Sequence, residues 1–222
     1  MNVIAVSGLA REARIARRAR VVPVVGAGDS ALLTRRLEEA IAAGAKGIVS
    51  FGIAGALAPL LRPGDIVIAS HVVHGEERCA TDAKWNAILR QKLPRAASAI
   101  IVGHGVIVSH VDGKRRLFAI SGAHAVDTES HIAARIARRR NVPFVAIRAI
   151  ADASNRGLPP AALVSLAPSG RIRVGGVLRS LAGDPLQISD LLATGREASR
   201  AFAALARCRN ALGPFLGCPY LG

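Results

Sequence analysis

Short runs of apolar, mostly β-branched residues alternate along the chain with Ala/Leu/Arg segments whose apolar positions recur at helical spacing. The runs Val3–Ser7, Val21–Val25, Ile48–Phe51, Ile66–Ser70, Ala99–Ser109 and Phe144–Ala151 are predicted strands. Several are apolar at consecutive positions, the pattern of strands covered on both faces. In Ser30–Ala43, Leu33, Leu37, Ala40 and Ile41 follow an i, i+4, i+7, i+8 spacing, and Gly44 stands as a C-terminal stop. Asp82–Leu93 and His131–Arg140 read the same way, the second with Ile132 and Ile136 on one face. A longer helix is predicted over Ser189–Arg207. Strands alternating with helices predict an α/β fold whose mixed, mostly parallel central sheet is flanked by helices. No repeat, low-complexity block or Pro/Ser-rich linker divides the chain. One domain over residues 1–222 is therefore expected, with a helical C-terminal segment at about 189–222.

Composition narrows this further. Of 222 residues, 51% are hydrophobic but only 3% aromatic, so a sizeable core must be built from Ala, Val, Leu and Ile. Cys79, Cys208 and Cys218 are too few and too scattered for a disulfide framework, which points to a reducing compartment. No Cys/His cluster has zinc spacing, so no metal is expected. The apolar stretch Val3–Ala10 is short, broken by Ser7 and Gly8, and followed by its positive charges, unlike a secretory leader. The longest uncharged runs, Gly47–Leu61 and Ala96–Val111, fall short of the ~18–20 residues a membrane span needs. A cytoplasmic protein is expected. Thirty Lys and Arg against 15 Asp and Glu give a formal charge of +15, a field that attracts phosphates, nucleic acids or anionic lipid. The arginines are spread along the chain, however. There is no basic arm, aromatic stacking set, RNP or KH signature, so nucleic acid is not the expected partner.

In α/β folds ligands bind at the carboxyl ends of strands, and three acidic residues stand there. Glu12 follows the first strand and the Ser7-Gly8 turn. Asp152 ends the run beginning at Phe144. Glu129, in Val126-Asp-Thr-Glu-Ser130, opens an Arg-rich helix. Each also has an ordinary explanation: Asp152 as a turn cap, Glu129 as a residue suited to a helix N-terminus, Glu12 as a solvated helix residue. The glycine-rich stretch Ser50-Phe-Gly-Ile-Ala-Gly-Ala-Leu57 reads as a turn after a strand, where backbone N–H groups could approach an anion or sugar. It is neither a Walker A loop nor a G-x-G-x-x-G fingerprint. Small residues there could equally serve only tight packing.

Four motifs in order say more than any one alone. Gly52-Ile-Ala-Gly-Ala-Leu57, Pro63-Gly-Asp-Ile-Val67, Val126-Asp-Thr-Glu-Ser130 and Arg148-Ala-Ile-Ala-Asp152 together resemble the nucleoside phosphorylase / methylthioadenosine nucleosidase superfamily. Val3–Glu12 is similar to that family's first strand and its glutamate, so the resemblance covers about residues 1–155. The D-x-E-S-H wording, Ala151-Asp-Ala-Ser-Asn-Arg-Gly-Leu-Pro-Pro160 and the Arg-rich tail look most like its hopanoid-associated branch.

The resemblance implies cleavage of the bond between ribose and a purine. A catalyst must then protonate the departing base, stabilise an oxocarbenium-like sugar and position a nucleophile. Asp152 would be the proton donor at N7, and Glu129 would grip the ribose 2′- and 3′-hydroxyls. Thr128 stands where the family usually has Met. The nucleophile stays open. Glu12 matches the glutamate that activates water in the nucleosidases. The Arg and Ser that many phosphorylases carry are absent from the positions matching Ser50 and Ile53, so phosphate would have to be held by backbone near Gly8 and Gly52 with Arg11 or another arginine, for example one from a neighbouring subunit. The branch implies phosphorolysis of adenosylhopane, with inorganic phosphate as co-substrate and no other cofactor. The alternative is hydrolysis of methylthioadenosine or adenosylhomocysteine. A lipid-linked nucleoside would bring transient contact with the inner-membrane surface, and a homo-oligomer is expected. Leu191, Leu192, Phe202, Leu205, Leu212, Phe215 and Leu216 could line an apolar channel or simply pack the last helix. A basic surface-binding protein without catalysis is the remaining, more distant reading.

Overall fold

The computed structural model describes residues 2–163 and 187–221; residues 164–186 of the expected domain lie outside the described residues. The elements are β1 (Val3–Ser7), α1 (Ala10–Ala16), β2 (Val21–Val25), α2 (Ser30–Ala42), β3 (Gly47–Ala56), β4 (Ile66–His74), β5 (Glu77–Ala80), α3 (Ala83–Lys92), β6 (Ala97–Gly103), α4 (Val111–Ser121), β7 (Ala125–Asp127), α5 (Ser130–Arg140), β8 (Phe144–Asp152), α6 (Pro160–Leu163) and α7 (Ile188–Leu212).

One mixed sheet organises them, in the order β2-β1-β3-β7-β6-β4-β5, with β8 pairing both β3 and β4. The β1·β2, β1·β3, β3·β8, β4·β6 and β6·β7 pairings are parallel, and β3·β7, β4·β5 and β4·β8 are antiparallel. The expected α/β class, with its mostly parallel sheet, holds. Because β3 pairs with β7 at its end and with β8 along its length, strands β3, β7, β6, β4 and β8 close into a ring of pairings. The wholly buried β8 explains the continuous apolar run from Phe144: alternate residues serve opposite faces. Phe144, Ala146 and Ile150 pack with Leu33 and Leu37 of α2 and with Ala133 and Ile136 of α5. Val145, Ile147 and Ala149 pack with Trp85 of α3 and with Phe202 and Leu205 of α7.

Helix boundaries follow local chemistry. Asp29 caps α2 by accepting from Leu32 N at 2.8 Å, and Asp82 caps α3 from Trp85 N at 2.7 Å. Gly122 and Asn141 end α4 and α5 in the left-handed region, with φ of 62° and 52°. Phe202, Leu205, Leu212 and Leu216 are buried in the core, with Phe215 packed against it, so these residues pack the last helix. Leu192 is 55% exposed. Among the described residues no helix is long and apolar enough to cross a membrane.

Two sequence expectations are corrected. The strand predicted over Ala99–Ser109 stops at Gly103, and α4 follows from Val111. The apolar residues Val106 and Ile107 belong to the connecting segment and are exposed. The strand predicted over Ile48–Phe51 runs on to Ala56, so the glycine-rich stretch from Ser50 is strand and not a turn. Ser50 and Gly52 pair with Ala146 and Arg148 of β8. Glycines serve there because large side chains from neighbouring strands and helices lie across this part of β3.

Candidate active site

The ends of β1, β3, β7 and β8 converge around Arg148, which is wholly buried in the middle of β8. Asp127, the last residue of β7, is its principal partner: the Arg148 Nε donates to Asp127 Oδ2 in an ion pair buried on both sides. Arg148 Nη2 donates to Ser50 Oγ at 2.6 Å and to Ser130 Oγ at 3.0 Å. Ser130 Oγ donates its one hydrogen to Asp127 Oδ2 and lies 3.0 Å from Ser50 Oγ, and its backbone N–H reaches Asp127 Oδ1 at 3.0 Å. Asp127 thus caps the start of α5 and anchors the arginine at once. Burial opposes the charge on Arg148, but Asp127, Glu129 and Glu12 outweigh it and hold the guanidinium firmly protonated.

Glu12 enters from the first turn of α1. Its Oε1 accepts from Ile53 N and its Oε2 from Leu9 N, each at 2.7 Å. Burial pushes its carboxyl above the usual range, against the lowering effect of Arg148 and the backbone donors. Gly52 makes this approach achievable. A Cβ there would lie 2.6 Å from both Arg148 Nη1 and Glu12 Oε1. Gly52→Ala is expected to keep the fold, displace one of these groups and lower any activity of the site by about 10²-fold, since small misplacements of reacting groups cost that much. Steady-state rates beside circular-dichroism melts check this.

Glu129 precedes α5 and meets the same cluster from the other side. A Cβ on Gly8 would lie 2.7 Å from Glu129 Oε1, so Gly8 gives way to this carboxylate. Thr128 Oγ1 donates to Glu129 Oε1 at 2.5 Å, placing a hydroxyl donor on the carboxylate where the family pattern has a thioether. Burial, with repulsion from Asp127, pushes the Glu129 carboxyl up to about 7. The folded chain therefore keeps a proton that the unfolded chain releases in the ordinary carboxylate range, and the stability this contributes is lost as pH rises through about 7. Glu129→Gln removes the charge and keeps the shape. It is expected to melt several degrees above the wild type at pH 8, on the order of 3 kcal/mol, and close to it at pH 4. Thermal melts at both pH values check this.

Asp152 ends β8 beyond this cluster, four residues after Arg148 and past a register shift that leaves it paired with Gly55. Its Oδ2 lies 3.2 Å from where a Gly55 Cβ would stand, and it receives a donor from Lys114 Nζ. Burial raises the Asp152 carboxyl above its usual range, opposed by Lys114. Glu12 and Glu129 are thus brought together directly, with Asp152 farther along the same strand end.

The remaining expected residues fall elsewhere or in other roles. Arg11 is exposed, with its guanidinium 4.1 Å from the Phe202 ring centroid. The Ser50 hydroxyl is committed to Arg148 and Ser130. His131 stacks on His74 with ring centroids 4.3 Å apart, and burial holds its pKa at about 4, so it is a neutral packing residue. Sequence reasoning missed Arg148, Asp127, Ser130 and Lys114 as parts of the site. An arginine inside an otherwise apolar, fully buried strand was the available signal for Arg148. Among the described residues no His/Cys/Asp/Glu group could hold a metal ion.

This fold is shared with solved nucleosidase structures. The chain superposes on the Helicobacter pylori 5′-methylthioadenosine/S-adenosylhomocysteine nucleosidase with a TM-score of 0.68 at 13% identity, covering 93% of this chain and 95% of that one. For the native futalosine hydrolase of the same organism the TM-score is 0.66 at 14% identity, covering 83% and 98%. Residues 3–207 match the Phosphorylase superfamily, and the chain belongs to it. A 5′-methylthioadenosine/S-adenosylhomocysteine nucleosidase of Anoxybacillus flavithermus is 28% identical over 134 residues. That match takes in 49% of this chain and spans 57% of the relative's length.

Proposed function

We propose that this chain hydrolyses the N-glycosidic bond of a purine nucleoside of the methylthioadenosine type. The observation that carries the reading is the buried cluster of Glu12, Glu129 and Arg148, with Asp152 buried at the end of the strand that carries Arg148. Glu129 offers a carboxylate to the ribose hydroxyls and faces the positive charge that develops on the sugar. Glu12, its pKa raised by burial, is suited to take a proton from an attacking water. Asp152, also raised, is suited to give one to the purine N7 as the base departs. Membership of the superfamily supports the reaction class.

Water is favoured over phosphate by the charges around Arg148. Asp127 is paired with it, and Glu12 and Glu129 stand beside it, so a phosphate dianion would meet three carboxyl groups for one guanidinium. The backbone N–H groups of Leu9 and Ile53, near the glycines expected to cradle phosphate, are donated to Glu12 instead. The test is release of adenine from methylthioadenosine by purified protein, followed chromatographically with and without phosphate. Equal rates in both are expected, and dependence on phosphate overturns the choice of nucleophile.

A second reading, phosphorolysis of adenosylhopane, draws on a different feature. Val106, Ile107 and Ile120 are 65%, 43% and 78% exposed, and the last two border a hollow of about 400 Å³ together with Val108 and Leu117. Such a surface suits a hydrocarbon substituent, and the +15 charge suits visits to anionic lipid. Adenine released from adenosylhopane, and only when phosphate is supplied, would favour this reading over the first.

A further inference from the structure

Lys114 lies in the first turn of α4, yet its side chain is 0% exposed. A lysine is rarely buried without a partner that holds its charge. Its ammonium donates to Asp152 Oδ2 and, at 2.8 Å each, to the carbonyls of Ala153 and Arg156. An ammonium has three N–H bonds, and all three are engaged. Lys114 therefore has no donor left for a substrate, and whatever it does for chemistry passes through Asp152.

The surroundings hold this pair in place. Arg156 bonds Glu197 of α7 at 3.2 Å, and Leu158 N reaches Ser109 O, just before α4, at 2.8 Å. The segment after β8 is thus fastened to both helices. The charged groups facing Asp152 are Lys114 from α4 and Glu197 from α7. The neighbouring strands β3 and β7 present Gly55 and Val126. Of the two Asp152 oxygens, Lys114 occupies Oδ2, and Oδ1 accepts no hydrogen bond from the described residues.

We propose that Lys114 is the positioning residue for the proton donor: it fixes the Asp152 carboxyl so that Oδ1 carries the transferable proton, and it holds the negative charge left behind. The inference rests on the nucleosidase reading above. In the step, the Asp152 O–H bond breaks as the N7–H bond forms. The C1′–N9 bond breaks with its electron pair going to the purine. Asp152 ends as a carboxylate against an ammonium that stays protonated throughout, and solvent returns the proton after the base leaves.

The test combines turnover with direct titration. In protein labelled with ¹³C-aspartate, Lys114→Met is expected to move the Asp152 carboxyl titration to higher pH. The alkaline limb of kcat/KM for methylthioadenosine moves with it, because the donor must be protonated and has lost the charge that lowered its pKa. The rate at neutral pH is expected to fall about 10²-fold. Glu197→Gln is expected to move both titrations the other way. Lys114→Arg keeps a cation beside Asp152 and is expected to hold both readouts closer to the wild type than Lys114→Met does.

A folded Lys114→Met protein whose carboxyl titration and pH limb stay where they were overturns the proposal, whatever its rate. Should neither variant fold, the wild type decides: the ¹⁵N ammonium signal of Lys114 is expected to shift in step with the Asp152 carboxyl, and independence of the two overturns the pairing. Coupled titration in a wild type that cleaves no purine riboside overturns the functional reading and the proton's destination, while the charge pair stands.

Discussion

Asp152→Asn is expected to release adenine at least about 10²-fold, and up to about 10⁴-fold, more slowly than the wild type, the range that general acid catalysis supplies. The amide cannot deliver a proton to N7, and nothing else among the described residues stands at Gly55 to replace it. The loss is expected in kcat, with KM for methylthioadenosine changed much less, because the proton moves only as the bond breaks. The substitution also has a structural cost. It leaves the wholly buried Lys114 ammonium with an amide oxygen and two carbonyls but no counter-charge, and removing one member of a buried pair costs on the order of 3 kcal/mol. The double variant Asp152→Asn/Lys114→Met is expected to recover stability and not activity. Rates measured well below each variant's melting temperature separate the two effects. A wild-type rate in the single variant would remove Asp152 from the chemistry.

Arg148→Met is expected to be the most destabilising single change in the site, by about 3–5 kcal/mol. It strands Asp127 as an unpaired buried carboxylate and removes the donor from Ser50 and one from Ser130. Arg148 also lowers the pKa values of both Glu12 and Glu129. Its loss drives both carboxyls toward their neutral forms at pH 7, so activity is expected to vanish even where the protein folds. Pairing the change with Asp127→Asn, which removes the stranded charge, is expected to restore most of the stability while the site stays inactive. Denaturant melts and adenine release on the single and double variants check this. Equal stability of wild type and Arg148→Met would mean that the buried pair contributes nothing.

The site residues were legible in the sequence to different depths. Glu12, Glu129 and Asp152 could be picked out because acidic residues directly after apolar runs sit at strand ends. In the fold Glu129 and Glu12 meet across Arg148, while Asp152 stands farther along β8. Thr128 was legible only as a departure from a pattern. Its hydroxyl bond to Glu129 emerged from the backbone geometry at the start of α5. Arg11 looked like an anion ligand because it adjoins Gly8, yet the helical turn of α1 carries it to Phe202 while Glu12 reaches Ile53. Residues adjacent in sequence point about 100° apart on a helix, so one neighbour reaches the cluster and the other leaves it. Lys114 carried no local signal at all, being one of four lysines scattered through an arginine-rich chain.

What the chain determined by itself is its secondary structure and class: apolar runs without alternation had to become doubly covered strands, and the periodic Ala/Leu segments had to cover them. Those choices depend on patterns within one segment. The extension of β3 through its glycines, the Asp127–Arg148 pair and the union of Lys114 with Asp152 were decided only by the tertiary fold. Each depends on groups from separate segments meeting in a space without water, where a charge persists only beside its opposite and a glycine is required only because a particular side chain lies across it.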